Sequence, residues 1–246
     1  MRLEPDPWLK SIFGHDVFRF ESGDSSILHE DITLAMQTGG DAFYYTKIPA
    51  GQTDILREFL ASGFGVVDVS ITFERVPESL LDQEMTVYTV RDARKEESTD
   101  VQEIAGVCFT NSRFHKDCQI KEEIANTIKR KWVENYFRGE RGESILIAET
   151  GGKPAGFLAI TRTTTGNQTA RVIDLIGVHP KFQRTGAGKQ MVRHFITQSV
   201  GRCNVVRVGT QLINLPSLNL YEQLGFRIVS SHYVLHAHVR NGRLVS

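Results

Sequence analysis

Apolar residues recur along this chain with two periods, and each period selects an element. Ile55, Leu56, Phe59 and Leu60 form one helical stripe that stops at Ser62-Gly63, with Thr53 or Asp54 as the expected N-cap. Ile120, Ile124, Ile128, Trp132 and Tyr136 recur every fourth residue and predict an amphipathic helix ended by Gly139 and Gly142. Ala187, Met191 and Phe195, with Val192 and Ile196, predict a third helix. Thr99-Asp-Val-Gln102 has capping-box spacing ahead of Val101, Ile104, Ala105 and Cys108, and residues 217–224 read as a short helix. Alternating or continuous apolar runs predict strands at 41–48, 64–73, 86–91, 144–149, 155–162, 173–178 and 204–209. Residues 226–239 read as two strands broken near Ser230-Ser231, and residues 111–117 as a polar loop.

These elements divide the chain. Residues 1–76 form a smaller α/β unit, the polar and proline-marked stretch 77–85 is a linker, and 86–246 hold the larger domain. From residue 86 the order is β-α-α-β-β-β-α-β-α-β-β, an α/β (α+β) pattern with a mixed central sheet flanked by helices. The two parts echo each other. Phe59-Leu-Ala-Ser-Gly-Phe-Gly-Val-Val-Asp matches Tyr221-Glu-Gln-Leu-Gly-Phe-Arg-Ile-Val-Ser in register, so the first unit reads as a degenerate copy of the second. Phe59 lacks the hydroxyl of Tyr221 and no glycine-rich basic loop precedes it, which makes the first unit a scaffold in this reading. A common helix C-cap explains the same match without a repeat.

Composition narrows the setting. With 29 basic and 29 acidic residues in 246, no global field favours nucleic acid or an anionic membrane. No apolar run is long enough to cross a bilayer, and no signal peptide opens the chain. The three cysteines, Cys108, Cys118 and Cys203, have no metal spacing, which fits a reducing cytoplasm. His236 and His238 share a strand face as a metal pair would, but no carboxylate or cysteine is expected to complete the set. No metal is therefore expected.

The most informative stretch is the run Ile-Asp-Leu-Ile-Gly-Val-His-Pro-Lys-Phe-Gln-Arg-Thr-Gly-Ala-Gly-Lys beginning at Ile173. A strand ends at His179-Pro180, and a short basic turn with Gly186 and Gly188 then opens a helix. Such a turn offers an anion a row of backbone N–H groups and the positive end of a helix dipole. The spacing Gln-x-x-Gly-x-Gly is neither that of the dinucleotide folds nor that of the Walker loop.

Together with Leu-Ile-Gly-Val-His-Pro before it and Asn214…Leu-Tyr-Glu-Gln-Leu-Gly-Phe after it, this turn resembles the acetyl-CoA motif of the GNAT N-acetyltransferase superfamily. The resemblance covers roughly residues 86 to 239. It implies a GNAT fold with acetyl-CoA as cosubstrate, its diphosphate held at Gln183, Arg184, Thr185, Gly186, Ala187, Gly188 and Lys189, and its pantetheine along Ile176, Gly177 and Val178. It further implies Tyr221 as the proton donor to the departing thiolate, although Tyr221 could simply pack on the sheet. Asn214 would touch the pantetheine, cap its helix, or both.

Attack on a thioester needs a neutral amine. Asp174, placed by alternation on the face of Ile176 and Val178, is one candidate base and equally a solvated strand-end carboxylate. In the 111–117 loop, Arg113 and His115 are the candidate acceptor residues. Asn111-Ser-Arg-Phe, Trp132-Val-Glu-Asn-Tyr-Phe-Arg-Gly, Gly209-Thr-Gln and Ser231-His-Tyr-Val-Leu resemble the dTDP-fucosamine acetyltransferases. That likeness implies a small-molecule amine acceptor, a dTDP-amino sugar, and a homodimer is compatible with it. Acetylation of a protein or other small amine, and acyl-CoA binding without catalysis, stay open as alternatives.

Overall fold

The structure, a computed structural model, describes residues 2–21, 28–37, 39–80 and 87–245. The first half runs β1 (Arg2–Pro5), α1 (Pro7–Phe13), β2 (Asp16–Glu21), α2 (His29–Ala35), β3 (Ala42–Pro49), α3 (Thr53–Ala61) and β4 (Gly65–Arg75). The second runs β5 (Thr89–Asp92), α4 (Ser98–Ala105), α5 (Arg113–Lys116), α6 (Glu122–Phe137), β6 (Ser144–Thr150), β7 (Lys153–Thr165), β8 (Gln168–Val178), α7 (Ala187–Gln198), β9 (Val205–Gln211), α8 (Leu215–Gln223), β10 (Arg227–Arg240) and β11 (Arg243–Val245). Single 3₁₀ turns precede α4 and follow β8. Most of the expected 77–85 linker, residues 81–85, lies outside the described residues.

All described strands belong to one sheet, ordered β1-β2-β3-β10-β4-β9-β8-β7-β6-β5, with β11 beside β10. Its centre is an exchange. β4, from the first half, lies between β9 and β10, while β10, from the second, lies between β3 and β4. On either side the pairing repeats. β2 and β3 are parallel, as are β8 and β9, while β1 and β7 are antiparallel to β2 and β8.

The turns after α3 and α8 match bond for bond. Phe64 N donates to Phe59 O at 3.1 Å and Phe226 N to Tyr221 O at 3.0 Å, each across a glycine with positive φ, Gly63 and Gly225. The echo in the sequence thus corresponds to two copies of one β-α-β-α-β piece sharing a sheet.

Helices cover both faces. On one, α7 and α8 bury Met191, Phe195 and Tyr221 against β7, β8 and β9; on the other, α4 and α6 bury Ile104, Val133 and Tyr136 against β6 and β7. In the first half, α2 and α3 pack on Phe20, Tyr44 and Leu235, and α1 reaches α6 through an edge-to-face contact of Trp8 with Trp132 at 5.7 Å. These apolar faces, each worth about 25 cal/mol per Å² removed from water, hold the layers together.

Several local expectations change. The α3 N-cap is Gln52, with neither Thr53 nor Asp54 outside the helix. α4 opens at Ser98, because Glu97 accepts from the Arg94 backbone N–H at 2.7 Å and so starts the turn earlier than Thr99. The stretch 226–239 is one continuous strand, with a register shift between Ile228 and Ser230 where a break was expected. The 111–117 loop contains the short helix α5.

Candidate active site

The site begins at a fault in β8. Ile173 pairs with Ile160 and Leu175 with Ala159, so Asp174 is an extra residue in the ladder. The bulge turns Asp174 to the α6 side, away from the face of Ile176 and Val178 on which strict alternation placed it. The bulged strand also leaves its parallel neighbour. Pairing of β8 with β9 ends at Ile173 with Val208, although both strands continue. Beyond that point Gly209, Thr210 and Gln211 pair with β4 alone among the described strands, and a slot opens between β8 and β9 where the edge of 174–178 facing β9 has no strand partner.

The basic turn lies at the end of this slot. Gly186, the residue before α7, has φ 95°, a left-handed conformation that favours glycine, and Arg184 also has positive φ at 63°. Among the described residues, the amides from Arg184 to Gly188 donate no backbone hydrogen bond. They therefore remain available to an anion, reinforced by the α7 dipole. Gln183 folds back to donate to Val178 O at 3.2 Å, fixing the turn to the strand. Gln183, Arg184, Gly186, Ala187, Gly188 and Lys189 line the slot. Thr185 does not; its hydroxyl is held by Phe182 O and the Tyr88 hydroxyl, both at 2.5 Å.

Ile176, Gly177 and Val178 line the same slot. A Cβ on Gly177 would come within 2.4 Å of Cys108 Sγ, so this glycine is required by packing on the α4 side and not by an approaching ligand. Asn214 caps α8, its Oδ1 accepting from Ser217 N at 3.4 Å and its Nδ2 donating to Thr210 at 3.3 Å. Tyr221, two turns further, is 1% exposed and wedged between Phe73 and Phe226 with centroids at 5.6 and 5.7 Å. Burial pushes its phenol well above the ordinary value, so it stays protonated, and it lines the slot.

Asp174 does not have the properties of a base. Its carboxylate accepts from Trp132 Nε1 at 2.8 Å, Tyr136 OH at 2.7 Å, and Arg141 Nε and Nη2 at 2.7 and 2.9 Å. Burial works to raise its pKa, but these donors outweigh it and hold the group below the usual carboxylate value. Asp174 is instead the anchor that fixes the bulge to α6. Gly142 supports it, since a Cβ there would strike the Tyr136 ring.

His115 is likewise occupied. Its Nδ1 meets Ser112 Oγ at 2.6 Å and its Nε2 meets Asn126 Oδ1 at 3.0 Å, and it does not line the slot. Arg113 does reach it, with its guanidinium 4.1 Å from the Tyr45 ring centroid.

The slot widens beyond the bulge into a cavity of about 1430 Å³, more than one drug-sized ligand fills. Its far wall comes from the first half of the chain: Arg19 on β2, Tyr45 and Lys47 on β3, and Asp68 and Ser70 on β4. The first unit is therefore more than scaffold. The alternation of Tyr45 with Lys47 and of Asp68 with Ser70 reads in sequence as a solvated strand face, and only the strand exchange turns it inward. Burial raises the pKa of Asp68. The histidine pair also finds its carboxylate: Asp117 Oδ2 lies 2.6 Å from His236 Nδ1 and 2.8 Å from His238 Nε2, a grouping sequence distance concealed.

Residues 99–226, just over half of the chain, match the model of the Acetyltransferase (GNAT) family. The spore coat polysaccharide biosynthesis protein SpsD of Bacillus subtilis is 24% identical over 223 residues, covering 87% of this chain and 73% of SpsD. Among solved structures, a GCN5-related N-acetyltransferase from Sphaerobacter thermophilus superposes with a TM-score of 0.55 at 15% identity, over 82% of this chain and 61% of that one. One from Kribbella flavida superposes with a TM-score of 0.57 at 13% identity, over 90% and 80%. The family match spans more than half of the sequence, and the chain belongs to the GNAT family of acetyltransferases.

Proposed function

We propose that this acetyltransferase moves acetyl from acetyl-CoA to the amino group of a nucleotide-linked amino sugar. The observation that carries the donor half is the slot between β8 and β9 ending at the unpaired amides of Arg184 to Gly188. In this reading those amides hold the CoA diphosphate, and the open edge of Ile176, Gly177 and Val178 pairs with the pantetheine. The thioester then lies beside Tyr221, whose protonated phenol donates to the thiolate as it leaves. Direct attack needs no covalent intermediate when donor and acceptor are held together.

The acceptor half rests on the second wall. Arg19, Tyr45, Lys47, Arg113, Lys129 and Trp132 line it, a set of cations and rings suited to phosphate and a nucleobase. The likeness to a protein of polysaccharide biosynthesis points the same way. Asp68 replaces Asp174 as the candidate base, because its raised pKa brings it nearer to that of an amine. The test is CoA release with nucleotide-linked amino sugars, the free amino sugars and lysine peptides as acceptors. Turnover of the first class alone is expected; turnover confined to peptides would replace this reading with protein acetylation.

A further inference from the structure

Two cations, one buried and one half-buried, line the cavity, and among the described residues neither has a carboxylate in contact. Lys129 on α6 is 6% exposed, and its ammonium lies 4.9 Å from the Phe109 centroid and 5.1 Å from that of Trp132. Among the described residues it has no ion-pair partner. Burial, and then the charge of Arg113, lower its pKa to about 8. Arg113 stacks on Tyr45 and Phe114, and its Nη1 donates to His236 Nε2 at 3.3 Å. Charges removed from water are retained where a counter-charge arrives, and here the open side of both is the cavity.

Behind Arg113 lies the buried group Asp117, His236 and His238, whose ligand atoms fall within 4.8 Å of one another and so invite a metal. Proton counting gives a different answer. A guanidinium only donates, so His236 Nε2 must be bare and the ring proton must sit on Nδ1, pointing at Asp117. His238 gives its Nε2 proton to the same oxygen, and Gln119 N donates to the other at 2.9 Å. The carboxylate is satisfied by hydrogen bonds, and the group forms a chain from Asp117 through His236 to Arg113. Phe43 packs on both imidazoles, with centroids at 4.8 and 4.9 Å.

We propose that Arg113 and Lys129 form the subsite for the acceptor's diphosphate, and that His236, braced by Asp117 and His238, is a positioning residue that aims Arg113 into it. The subsite deepens the nucleotide-sugar reading and rests on it for the identity of the anion, while its affinity for diphosphate is testable alone. The first measurement is calorimetric titration of inorganic pyrophosphate into protein saturated with CoA, so that the basic turn before α7 is already filled. Binding to the wild type that weakens about tenfold or more in Arg113→Met and in Lys129→Met is expected, the loss of one charge-assisted contact each. No binding, or equal binding in wild type and variants, would overturn the subsite whatever the acceptor proves to be.

The second measurement is steady-state kinetics with the nucleotide-linked sugar. His236→Leu is expected to raise the acceptor KM about tenfold while kcat and the acetyl-CoA KM stay within about twofold, and His236→Gln, which keeps an acceptor and a donor, to recover most of the loss. A kcat loss with unchanged KM, or no difference between Leu and Gln, would remove the positioning role. If pyrophosphate binds as expected but no nucleotide sugar is turned over, the subsite stands and the sugar reading falls.

Discussion

Single side chains set the chemistry here through what surrounds them. Tyr221 has apolar neighbours and a raised pKa, which suits the proposed role of proton donor to a departing thiolate. Tyr221→Phe should lower kcat by about two orders of magnitude and leave acetyl-CoA affinity within about threefold, read by turnover and calorimetry. Lys129 presents the opposite case, a charge buried at the expense of stability. Replacing it with methionine should raise thermal stability by roughly 1–2 kcal/mol while weakening acceptor use.

His236 gives a pH signature. Burial lowers its pKa to about 4, with the Asp117 hydrogen bond opposing, against an unfolded value near 6.5. The unfolded chain therefore binds the extra proton first. Stability should fall as pH drops from about 6.5 to about 4. His236→Gln should flatten that part of the curve in unfolding experiments run across this range.

At the scale of elements, the bulge in β8 decides the site. One extra residue ends the pairing with β9, and Asp174 pins that residue to α6. Asp174→Asn should cost about 1–3 kcal/mol of stability, measured by denaturant unfolding, because Trp132, Tyr136 and Arg141 lose a charged acceptor. Turnover of the folded fraction should change little; a large kcat loss without loss of stability would return Asp174 to the role of base.

This element also marks where the sequence stops being readable. The basic turn, the stripe of Met191 and Phe195, and the strand before them are local patterns, and each was legible. A bulge is a mismatch between two strands, so Ile173 to Val178 alone shows only alternation, and alternation put Asp174 on the wrong face. The same holds for Asp117, which meets its histidines 119 and 121 positions away. Arg113 was legible as a cation in a polar loop, but the group holding it was not.

At the scale of the molecule, the exchange of β4 and β10 makes each half the completion of the other. Without residues 1–76, β9 would keep an open edge and β10 would lose β3 and β4, keeping only the short β11. The fragment 77–246 expressed alone should be insoluble or aggregate. The whole chain should unfold in one cooperative transition by calorimetry.

The exchange reaches beyond stability. Because the slot proposed for the thioester belongs to the later copy and much of the wall opposite belongs to the earlier one, that reading lets changes in the first third of the gene retune which amine is taken without disturbing how the acyl donor is read. A duplicated ancestor whose spare copy lost its own cosubstrate would have obtained in this way a surface free to drift.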